Sequence, residues 1–184
     1  FNNARAAFYK KTDWALGYPA ATGIGANLGG ILIDFDAVLL KNPQDKIKPI
    51  DNKLQIAAHA YSEQVLKKAS DKKETPKFER AKSLTIAGKQ LIYVSGTAAI
   101  RGEESLKNVG VEKQLHITME NIAVLTGAAK LVMLRVYLKH KEDFPASEAL
   151  LKEMYPELPI SYMWADVCRD ELLIEIEGIA IKND

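Results

Sequence analysis

The stretch of sequence that decides the fold is LLIEIEGIA, at residues 172–180. Apolar Ile174 and Ile176 alternate in it with acidic Glu175 and Glu177. A period of two is that of a β-strand, in which successive side chains point to opposite faces. We therefore predict a strand that is apolar on one face and carries both carboxyl groups on the other.

A second stretch, ILIDFDAVL at residues 31–39, matches the first in chemistry at every position. Each stretch follows a helical segment and a proline-containing turn, over residues 4–19 and 146–159. Such self-similarity predicts an internal repeat. We expect residues 1–40 to be the terminal helix and strand of a first domain that is related to the second. Chance similarity between two short strands is the alternative.

Residues 41–73 separate the two units and are predicted to be a linker with a short strand and helix. Residues 41–51 (KNPQDKIKPID) are rich in proline and charge, which favours a loop. Residues 54–60 are compatible with a strand, and a helix is expected to begin within residues 61–68.

The second unit, residues 74–184, is predicted to be one complete domain. Strands are expected at residues 81–86 and 90–95 around a hairpin turn, and a polar loop follows at 96–108. A helix at 111–128, with apolar residues at helical spacing, a strand at 131–138 and a helix at 146–154 lead to the acidic strand. The order β-β-α-β-α-β predicts an α+β fold with two helices on one face of the sheet.

Composition restricts the classes of function. The 184 residues carry a net charge of +1, so no overall field attracts nucleic acid. The single cysteine, Cys168, allows no disulfide within the chain and no cysteine zinc site, and the histidines lack metal-ligand spacing. No apolar run approaches the roughly 20 residues that span a bilayer. We therefore expect no metal, no nucleic acid and no membrane partner, and a cytoplasmic location, where cysteines stay reduced.

The two acids of the final strand are the first candidates for catalysis. If Glu175 or Glu177 lines a cleft, burial raises its pKa and suits it to donate a proton. The alternative is a face that meets solvent or pairs with basic side chains. Guanidinium groups bind carboxylates bidentately, or serve as surface and salt-bridge residues. The candidates are Arg80, Arg101, Arg135 and Arg169.

Small residues mark a second candidate site. Ser95, Gly96, Thr97 and Ala98 directly follow a predicted strand, where backbone N–H groups can approach a bound anion. An ordinary strand-ending turn is the alternative. The glycine-rich residues 23–30 lack the flanking strand and helix of a nucleotide loop. Cys168 has no sequence-evident base partner and is interpreted as a packed small side chain.

Four of these segments resemble the YjgF/RidA family: residues 92–96 (IYVSG), the helix at 111–128, the strand at 131–138 and residues 174–180 (IEIEGIA). The resemblance implies a chorismate-mutase-like fold, trimers around a central barrel and hydrolysis of enamines and imines. Glu175 matches the family's acidic site residue. Ser161 stands where the family's deaminases carry the arginine that holds the substrate carboxylate, which argues against ordinary imine deamination.

A closer resemblance covers nearly the whole chain and is to the chorismatase family, also described as pteridine-dependent dioxygenase-like. It rests on residues 1–5 (FNNAR), 19–25 (PAATGIG), 52–55 (NKLQ), 78–81 (FERA) and 95–105 (SGTAAIRGEES). The family resembles two fused YjgF-like domains, which agrees with the internal repeat. The resemblance implies cleavage of chorismate, without a cofactor, to pyruvate and a hydroxylated ring acid.

This chemistry assigns roles to the candidate residues. Glu175, or alternatively Glu177, is expected to protonate the enolpyruvyl group, and Arg80 and Arg169 are expected to anchor the substrate carboxylates. The remaining pocket residues are Tyr61, Arg135 and the turn at 95–98. The expected partner is a small carboxylate substrate.

Three questions stay open at this point. The alternatives to a chorismate-cleaving enzyme are an imine deaminase, a small-metabolite-binding protein and a non-catalytic scaffold. Substrate groups from the earlier part of a first domain would be missing here, so the sequence does not predict whether this chain is active alone. Without most of the first domain, an apolar face of the sheet is expected to be open and to drive self-association, with a trimer as the expected form.

Overall fold

The computed structural model describes residues 2–25, 33–42, 45–66 and 74–183. The helices are α1 (Asn2–Tyr9), α2 (Glu63–Leu66), α3 (Val111–Thr126) and α4 (Phe144–Met154). The strands are β1 (Lys46–Ile50), β2 (Ala81–Ile86), β3 (Lys89–Ala98), β4 (Ile100–Arg101), β5 (Glu104–Ser105), β6 (Lys130–Leu138), β7 (Ile160–Trp164) and β8 (Ile174–Asn183). Among these residues, no helix has both the length and the apolar composition needed to cross a membrane.

Six strands form one sheet in the order β1-β2-β3-β8-β6-β7. Neighbouring strands are antiparallel except β6 and β7, which are parallel. The acidic strand β8 lies in the middle, between β3 and β6. α3 packs on β3, β8 and α4, so the two long helices cover one face. The predicted α+β fold is confirmed.

The core lies between α3 and the central strands. Ile174 and Ile176 of β8 are fully buried, together with Leu115 and Ile122 of α3. Removing such a side chain from water contributes about 1.5–3 kcal/mol. Because β8 alternates, burial of its isoleucines places Glu175 and Glu177 on the opposite face.

A buried amide ties α3 to the loops at one end of the sheet. The Asn121 side-chain amide donates to the carbonyls of Ala98, at 3.0 Å, and Ile100, at 3.1 Å. The side chain of Asn52 in turn donates to the Asn121 carbonyl, at 3.0 Å. An unpaired buried carbonyl costs free energy, so these bonds fix the backbone at the point where β3 ends.

Two expectations for the linker were wrong. A strand, β1, forms within the loop expected at residues 41–51, and it pairs with β2. Its Pro49 is tolerated because β1 is an edge strand, and proline's missing N–H is no loss on a free edge. Residues 54–60 form no strand but only a single bridge, Gln55 to Gly102, and a 3-10 turn at Ala58–Ala60. The helix expected within residues 61–68 is confirmed as α2, although residues 67 and 68 lie outside the described residues.

The polar loop expected at residues 96–108 is partly strand. β3 continues to Ala98 through an irregularity between Val94 and Thr97, and β4 and β5 form a small hairpin after it. This extension was not predicted because its side chains are polar. They are nevertheless buried, with hydrogen bonds inside the protein: the Thr97 hydroxyl donates to the Ser95 carbonyl at 2.8 Å. β7 was not predicted at all. It is a five-residue edge strand, and its parallel pairing with β6 leaves no local sequence signal.

The strand expected at residues 31–39 does not form in its described part, residues 33–39; Ile31 and Leu32 lie outside the described residues. Ile33, Phe35 and Leu39 are 73%, 80% and 82% exposed. A strand needs a hydrogen-bonding neighbour, and the alternating pattern of this segment finds none among the described residues. The helix of the same repeat is confirmed as α1.

Candidate active site

Glu175 lies near the start of the central strand β8, on the face that the helices do not cover. Its neighbours across the strands are Ala98 of β3 and Tyr137 of β6. Although this face is open elsewhere, Glu175 is only 5% exposed. Its carboxyl lies against the backbone of Gly96, where a Cβ atom would stand 2.1 Å from Glu175 Oε1. Glycine is therefore required beside this carboxyl.

The environment of Glu175 favours its protonated form. Burial, reinforced by the negative charge of Glu177, raises the pKa of Glu175 to about 7, against the lowering effects of Arg80 and of a hydrogen bond with Cys168. Glu175 Oε2 is buried and has no hydrogen-bond partner among the described residues. A carboxylic acid that is half protonated near neutrality and has a free oxygen is suited to transfer a proton.

Arg80 lies beside this acid at the start of β2 and is 4% exposed. Its guanidinium donates to the Ile56 carbonyl, at 2.8 Å from Nη2, and to the hydroxyl of Tyr61. It also lies 5.4 Å from the centre of the Tyr61 ring and 5.6 Å from that of Phe78. These contacts fix the plane of the guanidinium group. A buried cation of this kind is rare in protein interiors unless it is paired.

Arg169 approaches the same tyrosine from the loop before β8. Its guanidinium lies 5.3 Å from the Tyr61 ring centre, and Nη1 donates to the Glu103 carbonyl at 2.8 Å and to Ser105 Oγ at 2.9 Å. The β4–β5 hairpin therefore positions Arg169. The structure brings together Glu175, Arg80, Arg169 and Tyr61, which the sequence analysis had assigned to one pocket.

Residues 18–25, here called the strap, cross the end of β3 next to Glu175. The Ala21 N–H donates to Ser95 Oγ at 2.9 Å, and the Gly96 N–H donates to Thr22 Oγ1 at 2.8 Å. At its far end, Gly25 pairs with Asp166 through two backbone hydrogen bonds. The strap is thus bonded to the end of β3 at one point and to Asp166, in the loop before β8, at another.

In the turn at residues 95–98, the hydrogen-bond donors of Ser95 and Gly96 are bonded to other parts of the protein. The Ser95 hydroxyl donates to the Glu79 carbonyl at 2.6 Å, and the Ser95 N–H donates to the Arg80 carbonyl at 3.0 Å. The N–H of Gly96 is taken by Thr22. Because these donors are used within the protein, the turn's contribution to the site is the close approach of Gly96 to Glu175.

Glu177 lies in a different environment from Glu175. Its Oε1 accepts hydrogen bonds from Arg135 Nη1 and from the Tyr137 hydroxyl, both at 2.9 Å. Burial, together with the charge of Glu177, raises the pKa of Tyr137. Arg135 is thus engaged with Glu177, and Glu177 acts on Glu175 as a neighbouring negative charge.

Two candidates of the sequence analysis lie elsewhere or differ from expectation. Arg101 donates to Asn121 and pairs with Glu120, a salt-bridge role that the sequence analysis had left open. Cys168 was expected to be a packed side chain but is exposed. The surrounding protein and the charge of Glu175 nevertheless raise the pKa of its thiol to about 12. Cys168 is therefore a neighbour of the Glu175 carboxyl, to which it is hydrogen-bonded.

No family model matches the chain. A 3-hydroxybenzoate synthase from Streptomyces hygroscopicus is 31% identical over 185 residues, which cover 89% of this chain and 51% of that protein. A chorismatase from Streptomyces rapamycinicus is 32% identical over 178 residues, which cover 88% of this chain and 50% of that protein. Over nearly nine tenths of its length, the chain is therefore similar to chorismatases, as the sequence resemblance predicted. It spans about half the length of the curated relatives it matches.

Solved structures support the chorismatase fold. A crystal structure of chorismatase matches with a TM-score of 0.75 and 24% identity, over 97% of this chain and 55% of that one. Yeast Mmf1 matches with a TM-score of 0.56 and 14% identity, over 75% of this chain and all of that one. An L-PSP endoribonuclease-like protein from Entamoeba histolytica gives a TM-score of 0.52 and 19% identity, over 73% of this chain and 98% of that one. The chain therefore has the fold of chorismatase and of the L-PSP endoribonuclease-like, YjgF/RidA-type proteins.

Three of the five segments that carry the chorismatase resemblance lie around Glu175. Residues 19–25 form most of the strap, residues 78–81 supply Arg80, and residues 95–105 run from the Gly96 turn through β5. The sequence analysis missed Thr22 and Cys168 as neighbours of the carboxyl. Their positions depend on backbone pairings between distant parts of the chain, such as Gly25 with Asp166, which no local pattern reveals.

Among the described residues, no group of three or more histidine, cysteine, aspartate or glutamate side chains is arranged to hold a metal ion. The groups that the structure places around the site are a carboxyl with a raised pKa, two guanidinium groups and the hydroxyl of Tyr61.

Proposed function

We propose that this protein cleaves chorismate to pyruvate and a hydroxylated ring acid, with Glu175 as the proton donor. The observation that carries the proposal is a carboxyl only 5% exposed whose pKa is raised to about 7 beside two arginines. Its relatives are described as a chorismatase and a 3-hydroxybenzoate synthase. The proposed reaction takes place in the cytoplasm and uses no cofactor.

The proton transfer proceeds at the enolpyruvyl ether of the substrate. Glu175 gives its proton to the methylene carbon, which becomes a methyl group, and the ether carbon becomes an oxocarbenium ion. Water adds to that carbon and returns a proton to the Glu175 carboxylate. The resulting hemiketal then loses the ring alcohol and leaves pyruvate. Alternatively, the adjacent ring hydroxyl displaces pyruvate from its ring carbon and passes its proton to the Glu175 carboxylate, and the epoxide so formed isomerises to a hydroxybenzoate.

The two arginines fit the two carboxylates of chorismate. A guanidinium has five N–H groups. Arg80 uses those of Nε and Nη2 within the protein, and Arg169 uses those of Nη1. Arg80 Nη1 and Arg169 Nη2 are then the groups we assign to the substrate. Tyr61, which contacts both guanidinium groups, keeps them apart in a fixed geometry.

Pyruvate release tests the proposal. The purified chain is incubated with chorismate, pyruvate is followed by coupled reduction with lactate dehydrogenase, and the ring product is identified by chromatography. We expect one pyruvate for each chorismate consumed. Unchanged chorismate, together with ammonia release from an imine substrate, would contradict the proposal in favour of the second candidate.

That second candidate is an imine deaminase or a small-metabolite-binding protein of the YjgF/RidA type. The observation in its favour is the fold and the position of Glu175. Ser161, in place of the deaminase arginine, is an exposed residue on the edge strand β7 and offers no positive charge to a substrate carboxylate. Chorismate cleavage is therefore the better supported function.

We also propose that the chain associates with itself, as a trimer. The sheet face opposite the helices carries half-buried apolar side chains: Leu91, Tyr93, Met133, Ile179 and Ile181. Light scattering coupled to size exclusion is expected to give three times the 20.4-kDa chain mass, and Ile179→Lys is expected to reduce it to that of one chain. A single-chain mass for the unaltered protein would contradict the prediction.

A further inference from the structure

We propose that Thr22 is a positioning residue of this site, whose methyl group holds the strap closed over the Glu175 carboxyl and keeps water from it. This inference rests on the role proposed for Glu175 and extends it to the N-terminal segment. The relevant contacts are those of Thr22 with Gly96 and, through Gly96, with Glu175.

The space where Gly96 would have a side chain is filled by two other groups. A Cβ atom placed there would stand 2.1 Å from Glu175 Oε1 and 2.8 Å from Thr22 Cγ2. The carboxyl oxygen and the threonine methyl therefore lie against the same side of the Gly96 backbone. Thr22 Oγ1 accepts the Gly96 N–H at 2.8 Å and fixes the rotamer that points the methyl there.

Hydrogen bonds hold the strap on both sides of Thr22. Glu79 N–H donates to the Pro19 carbonyl at 3.0 Å, Ala21 N–H donates to Ser95 Oγ at 2.9 Å, and Gly25 pairs with Asp166. Thr22 lies between these points, so its backbone has little freedom to withdraw. A polar or smaller side chain at this position would leave a gap beside the carboxyl rather than move the strap.

The methyl and the hydroxyl of Thr22 have separable effects. An apolar group beside a carboxyl disfavours its ionised form, because it replaces water that would solvate the charge. The hydroxyl bonds to the backbone and contributes through the geometry of the turn. Thr22→Ser removes the methyl and keeps the acceptor, whereas Thr22→Val keeps a methyl and removes the acceptor.

The test is a direct titration of Glu175 in the full chain without substrate. Side-chain carboxyl signals of ¹³C-labelled glutamate are followed by NMR, and the Glu175 signal is assigned by its loss in Glu175→Gln. We expect Thr22→Ser to lower the pH midpoint of this signal by about one unit. We expect Thr22→Val to leave the midpoint close to that of the unaltered protein. Thr126→Ser, at the far end of α3, is the matched control and is expected to leave it unchanged.

An unchanged midpoint in Thr22→Ser would overturn the proposal, and so would a larger shift in Thr22→Val than in Thr22→Ser. A lowered midpoint in Thr22→Ser alone, or a smaller shift in Thr22→Val, supports it. Because the titration is measured on the protein without substrate, it can succeed even if chorismate is not cleaved. Failure of the inference is therefore distinguishable from failure of the proposed function.

Discussion

Replacing Glu175 with glutamine is expected to lower the rate of pyruvate release from chorismate by about 10²–10⁴-fold, the usual contribution of a positioned general acid. Glutamine has the same shape and fits the space beside Gly96, but it has no acidic proton to transfer. The carboxyl is buried, so water has little access to take its place. Steady-state rates with coupled detection of pyruvate measure the effect.

Two further glutamine variants show whether a loss of activity is specific to Glu175. Glu157→Gln changes an exposed carboxylate and is expected to behave as the unaltered protein. Glu177→Gln separates the two candidate acids: it removes the negative charge that helps to raise the pKa of Glu175, so the activity is expected to persist with its alkaline limit moved to lower pH. A larger loss in Glu177→Gln than in Glu175→Gln would assign the proton transfer to Glu177.

The second large effect is expected from Gly96→Ala. The new Cβ would stand 2.1 Å from Glu175 Oε1 and 2.8 Å from Thr22 Cγ2, so the carboxyl, the strap or both must move. A displacement of about 1 Å at a reacting group can cost about 10²-fold in rate. We expect a loss of that order in pyruvate release, together with a stability loss of about 1–3 kcal/mol from overpacking. Rates and urea unfolding of the same preparation measure both.

Gly23→Ala is the matched control for this substitution. Gly23 lies in the same strap, next to Thr22, but a Cβ atom there meets nothing within 4 Å. This variant is expected to retain the rate and the stability of the unaltered protein. Full activity in Gly96→Ala would contradict the close approach of Gly96 to the Glu175 carboxyl.

Much of the fold could be predicted from the sequence because its elements have local periodicity. The alternation of β8 and the apolar spacing of α3 identify their buried faces without any tertiary information. β7 escaped prediction because its parallel partner, β6, is distant in sequence. The residues at 33–39 were assigned to a strand wrongly, since alternation gives a strand only when a neighbouring strand is present.

The site was predictable only in part. Glu175 was identified because an acid alternates with apolar residues in its strand, and Arg80 and Arg169 because guanidinium groups bind carboxylates. Their roles and that of Tyr61 were assigned from the chemistry that the family resemblance implies. The assembly of these groups depends on the β4–β5 hairpin and the strap, whose bonds connect residues far apart along the chain. The difference between Glu175 and Glu177 could not be predicted, because both have the same local pattern and only their tertiary partners differ.

Burial raises the pKa of the Glu175 carboxyl, and the proposed proton transfer depends on this effect. This pKa is about 7 in the folded protein against a reference value of 4.5, so the folded state binds this proton more tightly than the unfolded state. The contribution of this proton to the free energy of unfolding is complete below the pKa of Glu175 in the unfolded state. It is lost as the pH rises through the pKa of Glu175 in the folded state.

The most direct test is the free energy of unfolding of the unaltered protein and of Glu175→Gln, measured by urea denaturation across this range. From about pH 5.5 to about pH 8.5, the unaltered protein should lose about 2 kcal/mol more stability than the variant. Parallel pH dependences in the two proteins would contradict the account, because they would show that Glu175 is ionised in the folded state throughout.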